Sequence, residues 1–119
     1  MKHIVLLEDD PNIVEMLSAL LEEEGYFVSS TARVADAKEV LERTTVDLLI
    51  ADIVLPDGTA FPAIDEAKRR NISCLLMTGS WPHMAELEAN GEFHLTKPFR
   101  LRELIAQVIQ RIGPGDGYN

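Results

Sequence analysis

Two short runs in this chain contain no polar residue: Ile4-Val5-Leu6-Leu7 and Leu48-Leu49-Ile50-Ala51. A strand with one wet face alternates apolar and polar residues. A run apolar at every position reads instead as a strand covered on both faces, the habit of a parallel sheet. Around these runs the period changes. Ile13, Val14, Leu17, Leu20 and Leu21 recur at three- and four-residue spacing. Val34, Ala37, Val40 and Leu41 do the same, as do Phe61, Ile64 and Ala67 over about 60–70, and each set makes one apolar helix face. The clearest set is the last: Leu101, Leu104, Ile105, Val108, Ile109 and Ile112. Tyr26-Phe27-Val28, Cys74-Leu75-Leu76-Met77 and Phe93-His94-Leu95-Thr96 complete the strands. The order is strand then helix, five times. That alternation implies right-handed crossovers onto a five-stranded parallel sheet with helices on both faces, an α/β fold. Ser80–Gly91 is the least regular stretch, and Pro82 opens a short or irregular fourth helix there.

The punctuation agrees. Asp10 suits an N-cap and Pro11 the first helical position. Gly25 ends the first helix, and Pro62 is tolerated because it falls in a first turn. Gly113 stops the last helix, and Gly113-Pro114-Gly115-Asp116-Gly117 cannot continue it. The expected organisation is one domain over 1–112 with a flexible tail over 113–119. At 119 residues the chain is long enough for a real core.

Charge and cysteine usage narrow the partners. A net charge of −9 repels DNA and anionic membranes, so direct binding to nucleic acid or membrane is not expected. It suits a metal cation or a basic partner, or simply solubility. Cys74 is the only cysteine, which rules out an internal disulfide and fits a reducing, cytoplasmic setting. The chain opens directly into a strand with no signal peptide, and no apolar run reaches membrane-spanning length.

The polar residues of interest fall at carboxyl ends of strands: Glu8 and Asp9, Asp52, Thr78, and Lys97. Open α/β sheets bind ligands at that edge. Singly, each has a bland reading: a capped acidic turn, a strand-end turn residue, a solvated lysine. Together they suit phosphoryl chemistry. Carboxylates are what a magnesium ion takes from a protein. A carboxylate can also be a nucleophile, and an ammonium and a hydroxyl can steady phosphoryl oxygens. A cis Lys97–Pro98 bond would point the ammonium into the crevice.

These residues, in this order and at these strand ends, resemble the receiver domain of bacterial two-component response regulators. Pro56 and Gly58 behind Asp52, and Lys97-Pro98-Phe99, add to the likeness, which covers nearly the whole chain. The resemblance implies a flavodoxin-like (βα)5 fold with strand order 2-1-3-4-5. It implies Asp52 as phosphoacceptor, with Thr78 and Lys97 binding the phosphoryl group. It implies Mg2+ held by Asp9, Asp52 and the Val54 backbone carbonyl, with Glu8 acting through water. The expected partners are a sensor histidine kinase or histidine phosphotransfer protein, and a downstream protein met through the fourth helix, fifth strand and last helix. The module is not an enzyme on other substrates; it would catalyse its own phosphorylation and, with apolar Val54 beside the site, a slow dephosphorylation. Thr78 and His94 would form the switch, His94 standing where the family usually has an aromatic ring. The interval from Thr78 to Lys97 is about one helical turn shorter than the family's. Met77-Thr78-Gly79-Ser80-Trp81 is similar to a stand-alone subgroup marked by Thr-Gly-x-aromatic.

Rival readings fit worse. An aspartate-nucleophile phosphatase wants a second acid two residues after the first, where Val54 stands. A flavin binder needs a phosphate-cradling loop, and Glu8-Asp9-Asp10 would repel phosphate. A binding-only pseudo-receiver would have lost the acids, threonine or lysine. His3 and His83 read as surface residues, Trp81 as packing or a surface contact, and Cys74 as core.

Overall fold

The computed structural model describes residues 1–79 and 94–116. Five strands form one sheet: β1 (His3–Leu7), β2 (Phe27–Thr31), β3 (Leu48–Asp52), β6 (Ser73–Thr78) and β7 (His94–Thr96). They lie in the order β2-β1-β3-β6-β7 and every neighbouring pair is parallel. The second, first, third, fourth and fifth strands of this sheet thus stand in the expected order. The described helices are α1 (Pro11–Glu23), α2 (Val34–Arg43), α3 (Phe61–Arg69) and α4 (Leu101–Ile112). The expected short fourth helix, Ser80–Gly91, lies outside the described residues, as do Trp81 and His83.

The unbroken apolar runs have the expected cause. Along β1, Val5 and Leu7 join a core with Val34, Ala37 and Leu41 of α2 and Ile64 and Ala67 of α3. Ile4 and Leu6, pointing the other way, join Leu17 and Leu21 of α1 and Leu104 and Val108 of α4. Each face of the sheet is covered by helices, so neither set of alternate residues meets water. All five residues of β1 are buried.

Three local readings differ from the sequence expectation. The second strand begins at Phe27, and Tyr26 instead donates its amide to the Leu21 carbonyl after α1. It runs on through Ser29 and Ser30 because β1 supplies a parallel ladder from His3↔Phe27 to Leu7↔Thr31. Pairing with a neighbour overrides weak intrinsic strand preference. A small hairpin, which no periodic pattern in the sequence marks, joins β4 (Val54–Leu55) to β5 (Gly58–Thr59). His3 is a correction: it is only 7% exposed. Its Nδ1 meets the Thr45 carbonyl at 3.0 Å, its Nε2 meets the Ser29 hydroxyl at 2.7 Å, and its ring stacks at a tilt on Phe27. Both ring nitrogens find partners, which permits the burial.

Residues 113–116, the start of the expected tail, fold back on the turn after α1. The Tyr26 hydroxyl donates to the Gly113 carbonyl at 2.6 Å, and the Asp116 amide donates to the Gly25 carbonyl at 3.0 Å. A side chain at Gly25 would meet the Asp116 backbone, so only glycine permits this approach. Residues 117–119 lie outside the described residues.

Candidate functional site

The ladder register assembles the site. Leu7 pairs with Ala51, Asp52 with Met77, and Thr78 with Thr96. The residues at or just past the strand ends, Glu8, Asp52, Thr78 and Lys97, are therefore brought to one edge. Backbone bonds tie the edge together: the Glu8 amide to the Thr31 carbonyl, Ile53 to Met77, and Lys97 to Thr78 at 2.8 Å.

Lys97 is the hub. Its Nζ donates to Asp52 Oδ2 at 2.8 Å and to Glu8 Oε1 at 3.1 Å. The Lys97–Pro98 bond is cis, as the sequence suggested. Burial alone would pull the Lys97 ammonium down, but its bonds to Asp52 and Glu8 and their charges outweigh that, and it sits above its ordinary value. Glu8 is 2% exposed. Its Oε2 accepts the amides of Asp9 and Asp10, at 2.9 and 3.2 Å. Burial pushes the Glu8 carboxyl up, the Asp10 amide and Lys97 oppose this, and the Asp52 charge adds to the rise. Asp52 Oδ1 accepts the Val54 amide at 3.3 Å, and Val54 is half exposed beside it. Thr78 is buried at the same edge. His94 lies in β7 two residues before Thr96; its side chain is outside the described part of the structure.

The acids suit a hard cation. Glu8, Asp9 and Asp52 each bring a carboxylate oxygen within 4.8 Å of the others. Three carboxylates against one ammonium leave two negative charges, which matches a divalent ion. Asp10 is not in this cluster. It caps α1, its Oδ1 accepting the Asn12 amide at 2.9 Å. The capping role read from the sequence thus falls on Asp10, outside the acidic cluster.

One participant was not read from the sequence. Asp57, at the tip of the β4–β5 hairpin, accepts the Val34 amide on Oδ1 at 2.9 Å and the Ala35 amide on Oδ2 at 3.2 Å. Its only sequence signal was the Asp-Gly turn; nothing local names a partner more than twenty residues earlier.

Comparison with known proteins agrees with this arrangement. The response regulator receiver domain family matches residues 4–109. The TorCAD operon transcriptional regulatory protein TorR of Escherichia coli is 34% identical over 110 residues, covering 89% of this chain and 48% of that protein. The phosphate regulon transcriptional regulatory protein PhoB of Pseudomonas aeruginosa is 30% identical, covering 97% of this chain and 55% of its own length. The chain thus spans about half the length of these relatives. They are named as transcriptional regulators, so they give no support to the expectation of no nucleic-acid partner. Among solved structures, TrrA of Thermotoga maritima, in complex with Mg(2+)-BeF, superimposes with a TM-score of 0.82 at 27% identity, covering 92% of this chain and 98% of that one. The receiver domain of a Pseudomonas aeruginosa sensor histidine kinase, with a magnesium ion coordinated in its active-site cleft, gives 0.83 at 26%, covering 94% and 98%. No helix among the described residues is long and apolar enough to cross a membrane. With its strand order, its strand-end acids and lysine, and a family match over nearly its whole length, this chain belongs to the response regulator receiver domains of two-component systems.

Proposed function

We propose that Asp52 accepts a phosphoryl group from a phosphohistidine of a sensor histidine kinase or histidine phosphotransfer protein, and that the phosphorylated state changes how the domain meets its next partner. The observation that carries this reading is Lys97 Nζ held between Asp52 and Glu8, inside a cluster of three carboxylates. An Asp52 oxygen attacks phosphorus, the N–P bond breaks, and the imidazole leaves with its electron pair and takes a proton. Lys97 then exchanges its bond to the Asp52 carboxylate for one to a phosphoryl oxygen. The Thr78 hydroxyl supplies another donor at the same edge. Asp9, Asp52 and the Val54 carbonyl would hold Mg2+ directly. Glu8 would act through water, in keeping with the engagement of both its oxygens by Lys97 and two amides. Bound there, the ion would neutralise charge developing on the transferred group. The half-exposed Val54 side chain offers water no hydrogen-bonding group, in keeping with slow self-hydrolysis.

The docking of a phosphodonor is supported by an apolar groove beside Lys97, lined by Ile13, Met16, Leu17, Pro98, Phe99 and Leu101. His94, as the switch residue moving with Thr78, the stand-alone subgroup, a cytoplasmic setting and the boundary at 112 belong to the same reading. Intact mass after incubation with acetyl phosphate and magnesium tests it. The expected result is one phosphate adduct, absent with EDTA and absent in Asp52→Asn. An adduct mapped to another residue overturns the assignment.

A further inference from the structure

We propose that Asp57 is a positioning residue for the site: by bolting the tip of the β4–β5 hairpin to the start of α2, it fixes Val54 over Asp52. The inference rests on the proposed function, because it concerns how that site is held.

The base of the hairpin is held by buried Ile53, Leu55 and Ala60 and by the Ala60 amide donating to the Ile53 carbonyl at 2.8 Å, but its tip has no such anchor. Each strand has two residues, paired Val54↔Thr59 and Leu55↔Gly58. A two-stranded ribbon is marginal on its own. Leu55 is anchored in the core, but Val54 is half exposed and Pro56 to Gly58 are exposed. Asp57 supplies the missing anchor. Its two carboxylate oxygens accept the amides of Val34 and Ala35, the first two residues of α2. Those amides are among the orphan donors of a helix start. Arg33, at the N-cap, gives them no side-chain bond. A carboxylate there is favoured by the exposed N–H groups and the helix dipole. The Val34 bond, ahead of the Ala35 bond and the nearby Arg33 charge, holds the Asp57 carboxyl below its ordinary value despite an opposing desolvation cost.

The tether matters because of where the hairpin begins. Val54 donates its amide to Asp52 Oδ1 and is proposed to offer its carbonyl to the metal. Val54 is three residues from Asp57, across one tight turn whose Gly58 has φ of 131°. With so short a ladder between them, movement at the tip reaches Val54.

Three variants test the tether: Asp57→Ala, Asp57→Asn and Glu39→Gly. The last weakens α2 at an exposed interior position and removes its ion pair to Arg43, without touching Asp57. Magnesium affinity is read by calorimetry with magnesium chloride, and phosphorylation rate by intact mass with acetyl phosphate. Asp57→Ala should raise the magnesium Kd about tenfold, the low end for changes behind a metal's direct ligands, and slow phosphorylation. Asp57→Asn, which keeps one acceptor, should fall between it and the parent. Glu39→Gly should lower Tm but leave Kd and rate at parental values. A parental Kd in Asp57→Ala, or an equal rise in Glu39→Gly, overturns the tether while leaving the site reading intact. Failure of the parent to bind magnesium or take a phosphate overturns both.

Discussion

Glu8, Asp9 and Asp10 are three consecutive acids with three different tasks, and the side-chain environments separate them. Glu8 is buried and bonded to Lys97 and two amides. Asp9 brings a carboxylate oxygen to the cluster with Asp52. Asp10 points its carboxylate at the start of α1. Replacement of Asp9 by alanine should therefore abolish most magnesium affinity with little change in fold stability. Asp10→Ala should cost about 1 kcal/mol of stability, the usual value of a cap, and leave magnesium affinity near the parent's. Calorimetry and urea titration on the two variants separate these effects. Equal losses of affinity would remove the assignment of Asp9 as the direct ligand. Cys74 shows the same dependence on surroundings. Burial, against the weaker opposing charges of Lys68 and Arg111, pushes its thiol up to about 11, in line with a packing rather than a reactive role.

At the scale of elements, α4 shows how one periodic pattern divides between core and surface. Leu104 and Val108 are fully buried against Ile4, Leu6 and Met77, while Ile109 is 39% exposed. Helical spacing alone puts all three on one broad stripe. Leu104→Ala should cost about 2–5 kcal/mol, the range for emptying a buried leucine site. Ile109→Ala should stay within about 0.5 kcal/mol, as surface changes do. Urea unfolding distinguishes them; similar losses would mean that α4 packs at a different rotation. The hairpin of β4 and β5 is the opposite case. It has no periodic signal because each strand is two residues long, and it depends on Leu55 in the core and on Asp57 reaching α2.

Over the whole molecule, buried charge makes stability depend on pH with opposing signs. Glu66 is 3% exposed and pairs with Arg69 and Arg70. The bond from Arg70, above all, lowers its carboxyl pKa, and Asp57 is lowered by its helix amides. A carboxylate lowered in the fold contributes stability that is complete above the unfolded value, near 4, and is lost as pH falls through the folded value. Glu8 runs the other way. Raised in the fold, it binds its proton more readily there, so its contribution weakens as pH rises from the unfolded value through the folded one. Thermal melts should show Tm falling as pH drops below about 4. Glu66→Gln should flatten that acid limb. An unchanged acid slope in the variant would show that Glu66 does not contribute to it.

What the sequence determined by itself was local. Unbroken apolar runs required a sheet covered on both faces, and three- and four-residue spacing required helices between the strands. Gly, Pro and Asp marked the ends. The strand-end polar residues could be named for the same reason, since each sits at the end of its own run. Only the tertiary structure decided which of them touch. Lys97 lies 89 residues from Glu8 and 45 from Asp52 along the chain, and parallel register brings its ammonium to both. The same holds for His3, buried by Thr45 and Ser29, and for Asp57, which finds α2 across 23 residues. Periodicity and capping are properties of a few successive residues. A partner's identity depends on crossover and register, and those follow from how both faces of the sheet are packed.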